Sequence, residues 1–136
     1  MAPALPRIRR DRMKIYMNTW FARFADAQAI TGAALHDAVA DMDAGRFDAD
    51  LGGCVYKQRV ARPGEGKSGG YRVILCFRRG ERAFFVYGYP KSKRGNITTK
   101  ERDSLKKLAK ILLSMSDEQL QTEVRAGTFQ EVLRQE

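Results

Sequence analysis

The sequence predicts an α+β domain: a small, mostly antiparallel β-sheet with an N-terminal helical hairpin and C-terminal helices. Three observations carry that expectation. The chain has 136 residues, which suits one compact domain, and 43% of them are apolar, enough for one core. Helical periodicity marks both ends of the chain. Between them, residues 54–89 alternate with period two and are rich in β-branched and aromatic types.

The elements follow in order. "KIYMN" (14–18) is a short strand. "TWFARFADAQ" (19–28) is amphipathic, with Trp20, Phe21 and Phe24 on one helical face. Thr31 caps a second helix in which Leu35, Ala38, Val39 and Met42 keep the i, i+3, i+4, i+7 spacing, and Gly45 stops it. "CVYKQRVA" (54–61) puts Val55, Lys57 and Arg59 on one strand face and Tyr56, Gln58 and Val60 on the other. "YRVILCFRR" (71–79), the turn "RGER" and "AFFVYGY" (83–89) form a hairpin, apolar on both faces and therefore central. Thr98 with Glu101 is a capping-box spacing for a helix over 99–113, striped by Leu105, Leu108, Ala109 and Leu112. Ser116 with Gln119 repeats the box for a short helix ending at Gly127, and "FQEVL" (129–133) is a candidate edge strand. The predicted order is β-α-α-β-β-β-α-α.

Composition narrows the function classes. A formal net charge of +9 favours a polyanionic partner such as RNA, DNA or the ribosome over a plain basic protein. Cys54 and Cys76 lie far apart and outside any CxxC motif, which argues against a disulfide framework or a zinc knuckle; Cys76 reads as a small buried hydrophobe. No stretch approaches the ~20 apolar residues of a membrane span. The opening "MAPALPRIRRDRM" has no apolar signal-peptide core, so a cytoplasmic protein is expected. Residues 1–13 read as a disordered basic tail, with Met13 an alternative start, and residues 14–136 as the single domain.

"ARPGEGKSGGYR" (61–72) satisfies the loose P-loop pattern, from Ala61 to Gly66-Lys67-Ser68. A P-loop must turn into a helix whose N-terminus holds the phosphates. Here Gly69 and Gly70 turn into Tyr71-Arg72-Val73-Ile74-Leu75, which are strand formers. The stretch is therefore expected to be a hairpin loop offering Arg62, Lys67 and Arg72 to an anion.

His36 is the only histidine, which excludes a histidine-pair ribonuclease and disfavours a histidine triad or metal site. It sits off the buried stripe and is expected to face solvent. Asp37, Asp41, Asp43, Asp48 and Asp50 cluster on the helical part of the chain, away from the basic loop, and read as solvated faces. That disfavours a two-metal nuclease, and no metal or cofactor is expected. Around the loop gather Lys57, Arg59, Arg62, Lys67, Tyr71 and Arg72, then Tyr89, Lys91, Lys93 and Arg94. Metal-free phosphodiester cleavage needs charge stabilisation of the phosphorane, a base for the 2′-OH and an acid for the leaving oxygen. Guanidinium groups suit the first task because they bond phosphate bidentately. A lysine among other cations can serve as base, and tyrosines can stack bases or donate a proton. A patch that only grips RNA backbone accounts for the same residues equally well.

The segment "YKQRVARPGEGKSGGYRVILCFRRGERAFFVYGYPKSKR" resembles the RelE/HigB family of type II toxins, and within it the HigB-like branch with a long "ARPGxGKSGGYR" loop. The resemblance runs from about Lys14 to Val132 and includes "DADLGG" and "TTKERDSLKKLAKILL". It implies a RelE/ParE-like fold and a ribosome-dependent endoribonuclease acting on mRNA. It also implies a cognate antitoxin, often a helix-turn-helix protein. The family's arginine in "GYR" falls on Arg72, which would contact the scissile phosphate. Its two strand cations fall on Lys57, the implied base, and Arg59, the implied charge stabiliser. Its basic segment after the last long strand falls on Lys91, Lys93 and Arg94; Arg62 and Lys67 are expected to contact RNA or ribosome. The catalytic tyrosine of some members has no counterpart beyond Tyr89, which leaves Tyr71 or Tyr89 for the acid or for base stacking. A gyrase poison of the ParE type and a non-catalytic RNA- or ribosome-binding module are the alternatives.

Overall fold

The structure, a computed structural model, describes residues 13–62, 66–90 and 97–134, and of residues 66–69 the backbone alone. Its strands are β1 (Lys14–Asn18), β2 (Ala49–Gly52), β3 (Val55–Arg62), β4 (Gly66–Arg78), β5 (Arg82–Pro90) and β6 (Phe129–Glu131). Its helices are α1 (Thr19–Ala27), α2 (Gly32–Asp43), α3 (Thr99–Ser114) and α4 (Asp117–Arg125). The strands form one mixed sheet in the order β2-β3-β4-β5-β1-β6. Neighbours pair antiparallel except β1, which lies parallel to β5 with Ile15 opposite Ala83. The predicted α+β class holds, and the hairpin β4–β5 is central as its two apolar faces required.

The sheet is covered on both sides, and period two decides which residue serves which side. Ile15, Val73, Leu75, Phe77, Ala83 and Phe85 pack under α1 and α2. Their chain neighbours Tyr16, Ile74, Cys76, Phe84 and Val86 pack under α3 and α4. Phe21 and Leu35 anchor the first layer at 0% and 1% exposure, with Ala38, Val39 and Met42 completing the expected stripe. Burying one such side chain stabilises by roughly 1.5–3 kcal/mol. Both predicted capping boxes form: Thr98 with Glu101 and Ser116 with Gln119 each exchange two hydrogen bonds. Each satisfies N–H groups left over at a helix start, contributing about 1 kcal/mol.

Three expectations change. Strand β2 is an addition: it forms a hairpin with β3 whose two turn residues, Gly53 and Cys54, both have positive φ, as a type I′ turn requires. Trp20 does not join the core beside Phe21; it is 45% exposed and lies against Tyr87 of β5 at 4.6 Å between ring centroids. His36 is partly buried, and its Nε2 donates to the Val132 carbonyl at 2.8 Å, tying the chain's end to α2.

Candidate nucleic-acid interface

Period two fixes the site before any side chain is considered. Lys57 and Arg59 leave β3 on the same face as Val55, the side covered by α3 and α4. Arg72 stands directly opposite Arg59 on β4, and Tyr89 directly opposite Arg72 on β5. Opposed residues of antiparallel strands point to the same side. Arg59, Arg72 and Tyr89 thus form one row across three strands, with Lys57 one step along.

A bulge makes this row possible. Ile74 pairs with Tyr87 but Leu75 with Phe85, so Val86 is an extra residue in β5. Without it, Tyr87 and Tyr89 would point with Phe85 toward α1. Such a bulge re-aims the side chains beyond it, and here it brings both tyrosines to the Arg72 face.

The three cations meet at one carboxylate. Arg72 Nε donates to Asp48 Oδ2 at 3.1 Å, Arg59 Nε lies 3.5 Å from Oδ1, and Lys57 Nζ lies 3.9 Å from Oδ2. The Lys57, Asp48 and Arg72 side chains are 17%, 16% and 14% exposed, whereas Arg59 is 47% exposed and forms the outer rim. Arg72 Nη1 is buried and has no hydrogen-bond partner among the described residues. Ion pairs this shielded interact more strongly than surface pairs, because less water screens them.

Asp48 is held from behind. Its N–H donates to the Lys57 carbonyl at 3.0 Å. Gln58, a buried polar side chain on the other sheet face, donates through Nε2 to the carbonyls of Ala38 and Arg46 and accepts from the Arg59 N–H. The loop carrying Asp48 is thereby pinned to β3. The sequence places Asp48 with the solvated acidic residues; the structure corrects this and puts it at the centre of the basic cluster. Its one sequence signal is Asp48-Ala49-Asp50 leading into a glycine pair, which a hairpin reading of residues 48–60 would have turned back onto Lys57.

The remaining site residues divide. Tyr71 lies on the opposite face, 1% exposed, its hydroxyl donating to Gln28 Oε1 at 2.9 Å and its ring edge-on to Phe24. That position offers no base a stacking surface, so the expected stacking role does not fit Tyr71. The Arg62 guanidinium lies over the Tyr71 ring at 5.1 Å, also away from the three cations. Tyr89 is beside Arg72 and 4% exposed. Lys67 is on the backbone of β4, its side chain outside the described residues, as are Lys91, Lys93 and Arg94. The P-loop pattern is not realised: Gly66-Lys67-Ser68 opens strand β4, and no helix follows it. Nor do Gly69 and Gly70 make the turn, since the strand has already begun at Gly66.

An aromatic ledge continues the row, and the sequence reading missed it. Tyr89 neighbours Tyr87 at 6.1 Å, Tyr87 meets Trp20 at 4.6 Å, and Trp20 stacks on Phe24 at 5.4 Å. No group of three or more histidine, cysteine or acidic side chains among the described residues is placed to hold a metal ion. No helix among the described residues is long and apolar enough to cross a membrane.

A model of the family described as the RelE toxin of the RelE / RelB toxin-antitoxin system matches residues 13–132. No curated protein matches the chain. The family match covers most of the chain, and the chain belongs to the RelE toxin family. It is accordingly a toxin of a toxin-antitoxin system, whose partner is an antitoxin.

Proposed function

We propose that this RelE-family toxin is a ribosome-dependent mRNA endoribonuclease of the HigB-like branch, cutting by 2′-OH attack without a metal. One observation carries the reading: Lys57, Arg59 and Arg72, from two adjacent strands, gather within 3.9 Å of a single carboxylate on one sheet face. In this reading Arg72 contacts the scissile phosphate and, with Arg59, offsets the charge that builds on the phosphorane. Lys57 takes the 2′-OH proton. Tyr89, in register with Arg72, is assigned the protonation of the leaving 5′-oxygen. Exposed Trp20 over Tyr87 supplies a surface for a flanking base. Arg62, Lys67, Lys91, Lys93 and Arg94 hold backbone phosphates of mRNA or ribosomal RNA. The antitoxin is a helix-turn-helix protein that neutralises the toxin.

Induced expression in a bacterial host tests this. Growth should arrest with mRNA cut inside codons on ribosomes, and Arg72→Ala should abolish both, a loss of at least ~100-fold in cleavage. Arrest with intact mRNA would sink the ribonuclease reading. With induced DNA damage, that outcome points to gyrase poisoning; without damage and with the toxin on ribosomes, it points to non-catalytic binding.

A further inference from the structure

Three cations share one small area of the sheet, and two of them, Arg59 and Arg72, are direct cross-strand neighbours. Like charges so placed repel. The Asp48 carboxylate touches both, and Lys57 as well. Its two oxygens divide the work: Oδ1 faces Arg59, and Oδ2 faces Arg72 and Lys57. Arg72 therefore has its Nε edge fixed on protein and its Nη1 left as an oriented donor. An unpartnered buried guanidinium nitrogen is costly, and the Asp48 carboxylate on the Nε edge offsets the burial of that charge.

We propose that Asp48 is a positioning residue: a built-in anion that holds Lys57, Arg59 and Arg72 in one constellation and sets how strongly it attracts RNA. Two consequences follow from a single negative charge. The carboxylate orients the cations, so its loss slows cleavage. It also cancels one of their three positive charges, so its loss tightens binding of the phosphate backbone. A residue needed only for folding would lower both quantities together. The cleavage consequence rests on the ribonuclease reading; the binding consequence does not.

The test uses the full chain, with Asp48→Asn as an isosteric neutral variant and Asp48→Glu as the charge-conserving one. Binding is read by fluorescence anisotropy of a labelled single-stranded oligoribonucleotide over a salt series. Cleavage is read on ribosomes programmed with a defined mRNA. For Asp48→Asn the affinity should rise several-fold at low salt, and the log–log salt slope should steepen by about 0.7, the value of one added phosphate contact. Cleavage by bound toxin should fall about 10- to 100-fold. Asp48→Glu should bind as wild type and recover part of the cleavage. If Asp48→Asn does not fold, Asp48→Glu carries the test, because tighter binding in a variant that keeps the charge contradicts the proposal. Unchanged binding and cleavage in Asp48→Asn overturn it. Joint loss of both in a folded Asp48→Asn protein also overturns it, leaving a structural role. A wild type that binds but never cuts mRNA refutes the ribonuclease reading while the binding comparison still decides the role of Asp48.

Discussion

Arg59 and Arg72 face each other across β3 and β4, a pairing that destabilises a sheet unless an anion lies between them. Asp48 meets that need, and the same contact fixes the direction of each guanidinium. Elsewhere burial has the opposite consequence for a charge. Cys76 is 0% exposed between Ile74, Phe84 and Val55, and burial, with a smaller contribution from Cys54, pushes its thiol from 9.0 up to about 12. The raised value makes the sign definite. Below pH 9.0 the thiol is neutral in both folded and unfolded chains, and its burial contributes in full. Above 9.0 the unfolded chain ionises first, so stability is lost as pH rises toward 12. Urea unfolding of wild type against Cys76→Ala should show a steeper alkaline decline in wild type; parallel declines would contradict the assignment. At this scale the sequence was readable wherever alternation applied. Val55, Lys57 and Arg59 share a face because they are two apart. Asp48 was not readable, because its neighbours are set by a hairpin whose first strand carries almost no pattern.

That hairpin shows what decides legibility at the level of elements. The segment "ADLG" is four residues long, with one exposed Asp and one glycine, too short and mixed for period two to register. Helices α2, α3 and α4 were readable because caps and stripes are local signals, and each cap residue forms its predicted bond. β1 was readable as a strand but not as a parallel neighbour of β5, a pairing between residues about 68 apart in the chain. Gly70 is a further case: flexibility at a turn was the expected reason for glycine, yet the residue lies inside β4. A Cβ there would sit 2.1 Å from the Val60 carbonyl oxygen and 3.0 Å from the Arg62 nitrogen, both backbone atoms that cannot swing aside. The register shifts between Val60 and Arg62 at this point. Close approach of two strands is therefore what glycine permits here. Gly70→Ala should destabilise by about 1–3 kcal/mol in chemical denaturation, since β3 must move. Because Arg59 and Arg72 lie next to the displaced pair, RNA binding should weaken as well. Wild-type stability would show that the strands can separate there without cost.

Over the whole molecule, an excess of nine positive charges must be placed somewhere, and the sheet face accounts for only part of it. Lys57, Arg59 and Arg72 with Asp48 carry a net charge of +2. Further cations lie at the start of β4, where Lys67 is its second residue, and in the segment after β5 that holds Lys91, Lys93 and Arg94. Among the described residues, Arg62 pairs with Gly66 at one end of β4, and Tyr71, the chain neighbour of Arg72, pairs with Pro90. The overall charge was readable at once from composition. The gathering of three of these cations at one shielded carboxylate was not, because that depends on which strands pair and on the β2–β3 hairpin that brings Asp48 to them. The two groups of cations make different demands on salt. Each phosphate held by a cation adds about 0.7 to the magnitude of the log–log salt slope for a single strand. If Lys67, Lys91, Lys93 and Arg94 hold phosphates, replacing all four by alanine should flatten the slope by about 3. Affinity should fall most at low salt, where counterion release contributes most. Arg72→Ala alone should flatten the slope by only about 0.7 while removing cleavage. The comparison thus separates gripping from cutting within one salt titration of an oligoribonucleotide. An unchanged slope in the fourfold variant would mean that these four residues do not touch RNA, and that the sheet face alone carries the binding.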